Sequence, residues 1–281
     1  MQNIKVSVIM NCFNGERYLV EAIDSVRNQT LKDWELIFWD NQSIDNSKDI
    51  FLQYEDDRLK YFYADQHTTL GEARNLAIEK SRGDWINFID VDDKWHKDKL
   101  EKQLLLINSG DDIGFVYGRT ETIYSGSEKV KEFSQGLLPE NDIFEQLLKD
   151  NFVYYLSALI NKDKLLKIPK IPEHFNQVED YYIFLHLSKL YQVKALQEVC
   201  CSYRLHDNNL SRNEPIEGAR ESLELVASFL PDERAKKAIG YKLSSLAVAQ
   251  IRKRKYYNAI LSLMSGGFIQ FSKRLISRMI K

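Results

Sequence analysis

Short apolar runs alternate with amphipathic stretches through the first half of the chain. Ile4–Cys12, apolar except at Lys5, Ser7 and Asn11, reads as a buried strand. Glu16–Asn28 then repeats Leu19, Ala22, Ile23 and Val26 at helical spacing. The alternation continues with a strand at Glu35–Trp39 and a helix around Asp45–Tyr54, with Ser43 as its N-cap. A strand at Leu59–Tyr63, a helix at Leu70–Lys80 and a strand at Trp85–Ile89 follow. This order predicts an α/β fold, a largely parallel sheet covered on both faces. After a strand at Ile113–Tyr117 the rhythm breaks, and polar Gly118–Gln135 reads as a hairpin or an irregular insertion. A helix near Asn141–Lys149, a strand at Tyr155–Ile160, a helix from Val178 to Leu190 and a strand at Val193–Tyr203 come next. From Pro215 the pattern is helical, punctuated by Pro231 and Gly266-Gly267. The expected organisation is a domain over 1–214 and a helical extension over 215–281.

In open α/β sheets, ligands gather beyond the carboxyl ends of the strands. The segments at those ends, Asn11–Gly15, Asp40–Asp45 and Asp90–Asp93, are all polar. Asp90, Asp92 and Asp93 follow the apolar run Trp85–Ile89, and crowded carboxylates raise one another's pKa unless a cation neutralises them. They read as a divalent-metal site shared with phosphate oxygens, or as caps on a helix starting near Lys94. Glu179-Asp180 opens a helix, as dipole complements or as a general base with its neighbour. Arg204 and His206 end a strand, where a guanidinium suits phosphate and an imidazole suits metal or phosphate; surface decoration is the alternative. Arg74 lies one turn beyond Gly71, at a helix N-terminus able to hold an anion, or as a solvated side chain.

Charge changes the picture at one end only. The chain has 281 residues and a formal net charge of -2, which gives no support to a nucleic-acid partner. Arg234–Lys281 nevertheless carries twelve Lys and Arg and no Asp or Glu, leaving 27 basic against 41 acidic residues elsewhere. Arg252–Lys255 is followed by apolar Ile260, Leu261, Leu263, Met264, Phe268, Ile269 and Phe271. Such a basic amphipathic segment lies on an anionic membrane, or packs on its own domain or on a second copy as a homo-oligomer. No signal peptide or spanning segment is legible, and three cysteines without metal-type spacing suit a reducing compartment. The expectation is a cytoplasmic protein with peripheral contact to the inner membrane face.

Taken together, these segments resemble an inverting glycosyltransferase of family 2. SVIMNCFNGERYL at Ser7–Leu19 and Asp40–Asp45 resemble that family's opening. Leu70–Asp93, LGEARNLAIEKSRGDWINFIDVDD, is similar to its central block, and VED at 178–180 and YRLHDNNLS at 203–211 match two later motifs. The resemblance spans about residues 4–211. It implies a GT-A fold, Rossmann-like, holding a nucleotide-sugar donor beside Mn²⁺ or Mg²⁺. Asp40 would contact the nucleobase, with the Asn11, Phe13 and Asn14 backbone lining the pocket. Arg74 would lie near the phosphates, Asp90 would face the ribose, and Asp92 would hold the metal. His206 would close over the metal or diphosphate, with Arg204 nearby. Asp180 would be the base and Glu179 its positioner. A glycan or lipid-linked glycan would be the acceptor, as in bacterial surface polysaccharide assembly.

The opening departs from the family's usual Pro-x-Tyr-Asn in having Asn11-Cys12-Phe13-Asn14, and Gln42 stands where Gly is common. No Gln-x-x-Arg-Trp motif is present, which points to transfer of one sugar per encounter. The competing readings are a nucleotidyltransferase, which calls for a glycine-rich basic loop after the first strand, and a non-catalytic nucleotide-sugar or glycan-binding protein.

Overall fold

The computed structural model describes residues 4–108, 110–124, 127–132, 136–207, 209 and 213–267. Among them, nine strands build one sheet: β1 (Val6–Cys12), β2 (Trp34–Asp40), β3 (Leu59–Tyr63), β4 (Trp85–Phe88), β5 (Lys94–Trp95), β6 (Ile113–Tyr124), β7 (Ser127–Glu132), β8 (Leu159–Asn161) and β9 (Gln192–Leu205). The order is β3-β2-β1-β4-β8-β6-β9-β5, with β7 on β6. The helices are α1 (Leu19–Arg27), α2 (Ser47–Leu52), α3 (Leu70–Glu79), α4 (Lys99–Leu105), α5 (Phe144–Lys149), α6 (Lys162–Leu165), α7 (Glu179–Leu190), α8 (Pro215–Ala227), α9 (Glu233–Arg252) and α10 (Tyr256–Ser262).

The first four strands in sheet order are mutually parallel, and every residue of β2 is buried. That matches the largely apolar sequences of β1 and β2. The parallel expectation fails past β4: β8 pairs antiparallel with both β4 and β6, while β6 and β9 run parallel over eleven paired positions. The described residues of Gly118–Gln135 are strand, β6 continuing to Tyr124 and pairing antiparallel with β7, which is the hairpin alternative. The expected strand at Tyr155–Ile160 shrinks to Leu159–Asn161. Its first residues curl into a tight turn in which the Ser157 amide and hydroxyl both donate to the Tyr154 carbonyl.

Two expected helix starts also move. No helix begins near Lys94; Lys94–Trp95 pairs with β9 and α4 starts at Lys99, so neither Asp92 nor Asp93 is a helix cap. The helix assigned to Asp45–Tyr54 is α2, with Asn46 at its N-cap position, and the Ser43 hydroxyl is spent on the first loop instead. On α1 the predicted stripe of Leu19, Ala22, Ile23 and Val26 is buried as a set.

The chain divides into two compact units. The first comprises Met1–Ile143, Val153–Phe175 and His186–His206, and holds the sheet. The second comprises Phe144–Phe152, Asn176–Leu185 and Asp207–Lys281, with α5, α8, α9 and α10. Its buried residues include Phe144, Leu147, Ile183, Leu225, Val226 and Ala238.

An ion pair before β3 gives the first unit an acid-sensitive point. Arg58 donates through Nε at 3.0 Å and Nη2 at 2.8 Å to the Asp56 carboxylate, and its guanidinium lies 3.8 Å over the Trp34 ring. The Arg58 hydrogen bonds hold Asp56 down to about 2. The folded value lies below the unfolded one, near 3.9, so the stabilisation is complete above that pH and is lost as pH falls through about 2. Allowing for partial exposure, it amounts to about 1–2 kcal/mol. Denaturant unfolding of the protein and of Asp56→Asn at pH 6 and pH 2.5 should show the gap between them narrowing in acid.

Candidate active site

Parallel register brings the carboxyl ends of β1, β2 and β4 to one edge: Cys12 lies opposite Asp40, and Ile9 opposite Phe88. The first two loops then close on each other. Asn14 and Gln42 both take left-handed backbone conformations, with φ of 56° and 70°. For Gln42 this is the conformation a glycine adopts most cheaply, and its side chain offsets the strain by donating to the Ala64 and Asp65 carbonyls. The Asn14 amide donates to Ser43 Oγ at 3.0 Å, and the Ile44 amide to Asn14 Oδ1 at 2.9 Å. The Glu16 amide donates to Asp45 Oδ2 at 3.0 Å.

Asp40 is fully enclosed. Its Oδ1 accepts from the Ser43 amide at 2.7 Å and its Oδ2 from the Tyr61 hydroxyl at 2.6 Å, so it shapes the loop from beneath and exposes no surface to a nucleobase. The half-exposed Phe13 ring does present a face there. It lies 4.4 Å from the ring of His67, which is held through Nδ1 to the Asn41 carbonyl at 2.8 Å. Asn11 is partly buried, and its Nδ2 has no hydrogen-bond partner. Behind this loop, a Cβ on Gly15 would come within 2.7 Å of Val91 Cγ2, so only glycine lets the first loop rest on the acidic one.

The acidic loop is built in two layers. Arg74, enclosed on α3, reaches Asp90 Oδ1 through Nη2 at 3.2 Å while its guanidinium lies 4.3 Å over Tyr155, which stacks on Phe88. The N-terminus of α3 is not an open anion site. A Cβ on Gly71 would fall 2.8 Å from the Phe175 carbonyl oxygen, and Thr69 Oγ1 donates to the Glu173 carbonyl. The chain's own carbonyls occupy that ground, and the Arg74 guanidinium reaches Asp90 instead.

Asp92 Oδ2 and His206 Nε2 are 2.7 Å apart. Burial, then the Asp90 charge, pushes the Asp92 carboxyl up, and the bond to His206 opposes this. Asp93 lies beneath, fully enclosed. Its Oδ1 accepts the Arg204 amide at 2.8 Å, its Oδ2 has no hydrogen-bond partner, and burial with the Asp92 and Asp90 charges drives its carboxyl well up. Arg204 departs from its expected phosphate role. It donates through Nε to the Asp92 carbonyl at 2.8 Å and through Nη2 to Glu21 Oε2 at 2.9 Å, and it covers the Tyr18 ring. Arg204 therefore ties β9 to the acidic loop and sets where His206 lies.

Among the described residues, no three His, Cys, Asp or Glu side chains form a closed metal cage. The donor set nonetheless fits a hard divalent cation, which takes one or two carboxylates and completes its shell with phosphate oxygens and water. Mutual repulsion among Asp90, Asp92 and Asp93 is the cost that such a cation removes.

In the second unit, Glu179 and Asp180 open α7 as expected. The Tyr181 amide donates to Asp180 Oδ1 at 2.5 Å, and Asn151 Nδ2 approaches Asp180 Oδ2 at 3.4 Å. Glu221 of α8, invisible as a site residue in the sequence, accepts the amides of Asn176 at 3.2 Å and Gln177 at 2.9 Å. Burial raises its carboxyl, with the Glu179 charge adding to the shift. It therefore fixes the backbone that leads into Glu179-Asp180. Glu221→Ala strands two partly buried amides and should cost about 1–3 kcal/mol. Denaturant unfolding measures that loss, and Glu221→Gln, which still accepts, should recover most of it.

The model of the family described as "Glycosyl transferase family 2" matches residues 7–168. The chain belongs to that family. This glycosyltransferase is 30% identical over 250 residues to the Escherichia coli UDP-Glc:alpha-D-GlcNAc-diphosphoundecaprenol beta-1,3-glucosyltransferase WfgD, covering 88% of this chain and 94% of that protein. Its fold is similar to that of S. aureus TarS 1-349 in complex with UDP-GlcNAc, with a TM-score of 0.64 and 18% identity over 92% of this chain and 73% of that one. It is also similar to the mannosyltransferase PcManGT from Pyrobaculum calidifontis in complex with GDP-Man and Mn²⁺. There the TM-score is 0.66, with 14% identity over 98% of this chain and 79% of that one. The fold of the transferase is thus GT-A, its mixed sheet followed by C-terminal helices. Among its described residues, no helix is long and apolar enough to cross a membrane.

Proposed function

We propose that this transferase moves one sugar from a UDP-sugar to a hydroxyl of a glycan or lipid-linked glycan, with inversion at the anomeric carbon, in bacterial surface polysaccharide or glycolipid assembly. The observation that carries this reading is the Asp92–His206 pair at 2.7 Å, beside Arg74–Asp90 at the carboxyl edge of the sheet. The printed donor and acceptor of the E. coli relative support the UDP-sugar and the lipid-linked acceptor. A nucleotidyltransferase loop is not present: Asn11–Arg17 holds one Gly and one Arg.

In this reading Phe13 and His67 flank the base, and Asp40 holds the loop that carries Ser43. Asp90 accepts from the ribose while Arg74 orients it. Asp92, with His206 beside it, would hold Mn²⁺ or Mg²⁺, which supplies positive charge where the departing diphosphate becomes more negative. Asp180 takes the proton of the acceptor hydroxyl as that oxygen attacks the anomeric carbon, with Glu179 positioning it. The C1–O bond to UDP breaks as the new bond forms on the opposite face. No enzyme nucleophile takes part, and the configuration inverts.

A thermal-shift titration with UDP, GDP, dTDP and CDP, each with and without Mn²⁺, tests the donor assignment. UDP with Mn²⁺ at about 100 times its dissociation constant should add roughly 2.7 kcal/mol of stability. A shift with GDP alone would overturn the UDP assignment, and no shift with any nucleotide would remove the donor site itself.

A further inference from the structure

The C-terminal helices carry an apolar face turned outward. In α10 and the turn after it, Tyr256, Tyr257, Ile260, Leu261 and Met264 are all exposed, Tyr257 at 73% and Met264 at 78%. Their spacing of one, three, one and three residues puts all five on one side of a helix. The opposite side holds the small residues Ala259 and Ser262, both buried, and Ser262 Oγ lies 3.0 Å from Gln250 Oε1 of α9. The helix therefore seats its small residues and displays its large ones, the reverse of an ordinary surface helix. The turn that feeds it is Arg252-Lys253-Arg254-Lys255, four consecutive exposed cations, closed by a left-handed Arg254 with φ of 59°.

An apolar face bordered by aromatic rings and cations matches a bilayer in both its parts. The side chains enter the headgroup boundary, and the cations meet anionic headgroups. A protein partner of ordinary surface composition satisfies one part and not the other. We propose that this face docks the transferase on an anionic membrane surface. The proposal deepens the lipid-linked acceptor reading and rests on it for its purpose, whereas the binding itself is measurable without donor or acceptor.

The test is co-sedimentation of the full chain with vesicles of phosphatidylcholine alone or with one-third phosphatidylglycerol. Two variants accompany it: Tyr257→Ser/Ile260→Ser/Met264→Ser and Arg252→Ser/Lys255→Ser. The expected result is pelleting with the anionic vesicles and not with pure phosphatidylcholine. The apolar variant should weaken this at least ten-fold. The charge variant should weaken it roughly 25-fold, since each cation near the surface strengthens association about five-fold. Both should keep the unmodified nucleotide thermal shift, which separates loss of docking from loss of the donor site. A wild-type chain that stays in the supernatant, or an apolar variant that pellets equally, would overturn the proposal. So would a lipid-free dimer, seen by sedimentation velocity, that the apolar variant splits, since the face would then join two copies. A lower melting temperature in that variant would show the face covered by the chain's own residues, with the same consequence.

Discussion

Asp180→Asn is expected to lower kcat by about 100- to 10,000-fold while the donor still binds, the range for loss of a positioned general base. The substitution keeps the shape of the helix start. The Tyr181 amide still finds an acceptor at 180, and the Asn151 amide is free to turn its oxygen toward the new side chain. What disappears is a site able to accept the acceptor's proton. UDP release from a UDP-sugar that the unmodified protein turns over gives the rate, and the nucleotide thermal shift gives the binding. Equal loss of both would mean that Asp180 supports the fold, and an unchanged rate would assign the base elsewhere. A non-catalytic binding protein would release no UDP with either side chain and would bind the nucleotide equally with both.

The second large effect belongs to Asp92. Asp92→Asn should reduce kcat/KM by about 1,000-fold, which corresponds to the several kcal/mol a Lewis acid contributes at a developing diphosphate charge. It should also erase the Mn²⁺-dependent part of the nucleotide shift. Asp93→Asn is the informative contrast. That side chain is enclosed, and Asn still accepts the Arg204 amide. Its metal-dependent shift should survive. If Asp93→Asn abolished the shift and Asp92→Asn did not, the two carboxylates would have to exchange roles.

Much of this architecture was legible because it is local. The strand–helix rhythm through Phe88 depends on hydrophobic period, and β3 and the buried stripe of α1 fell where that period put them. The three polar segments at the strand ends followed from parallel topology. What escaped depends on partners distant in sequence. β8 enters antiparallel between β4 and β6, and the turn at Tyr155–Ser157 is held by a serine bonding back to the Tyr154 carbonyl. Asp40 and Arg204 carry the residue types of ligand contacts, yet burial commits both to the protein. His67 and Glu221 gave no sequence signal, being a lone histidine in a polar loop and one glutamate on an amphipathic helix.

The loops at the sheet edge differ in how far apart their partners lie along the chain. The contacts joining Asn14 and Glu16 to Ser43 and Asp45 span about thirty residues, whereas Asp93–Arg204 and Asp92–His206 span 111 and 114. Short closures are cheaper and form sooner than long ones. During synthesis, the loops that frame the first side of the pocket are complete once the first strands have emerged. In the acidic loop Asp90 has a near partner in Arg74, whereas Asp92 and Asp93 wait for residues 206 and 204. In the proposed reading, the loop that faces the base therefore closes before the loop that faces the diphosphate.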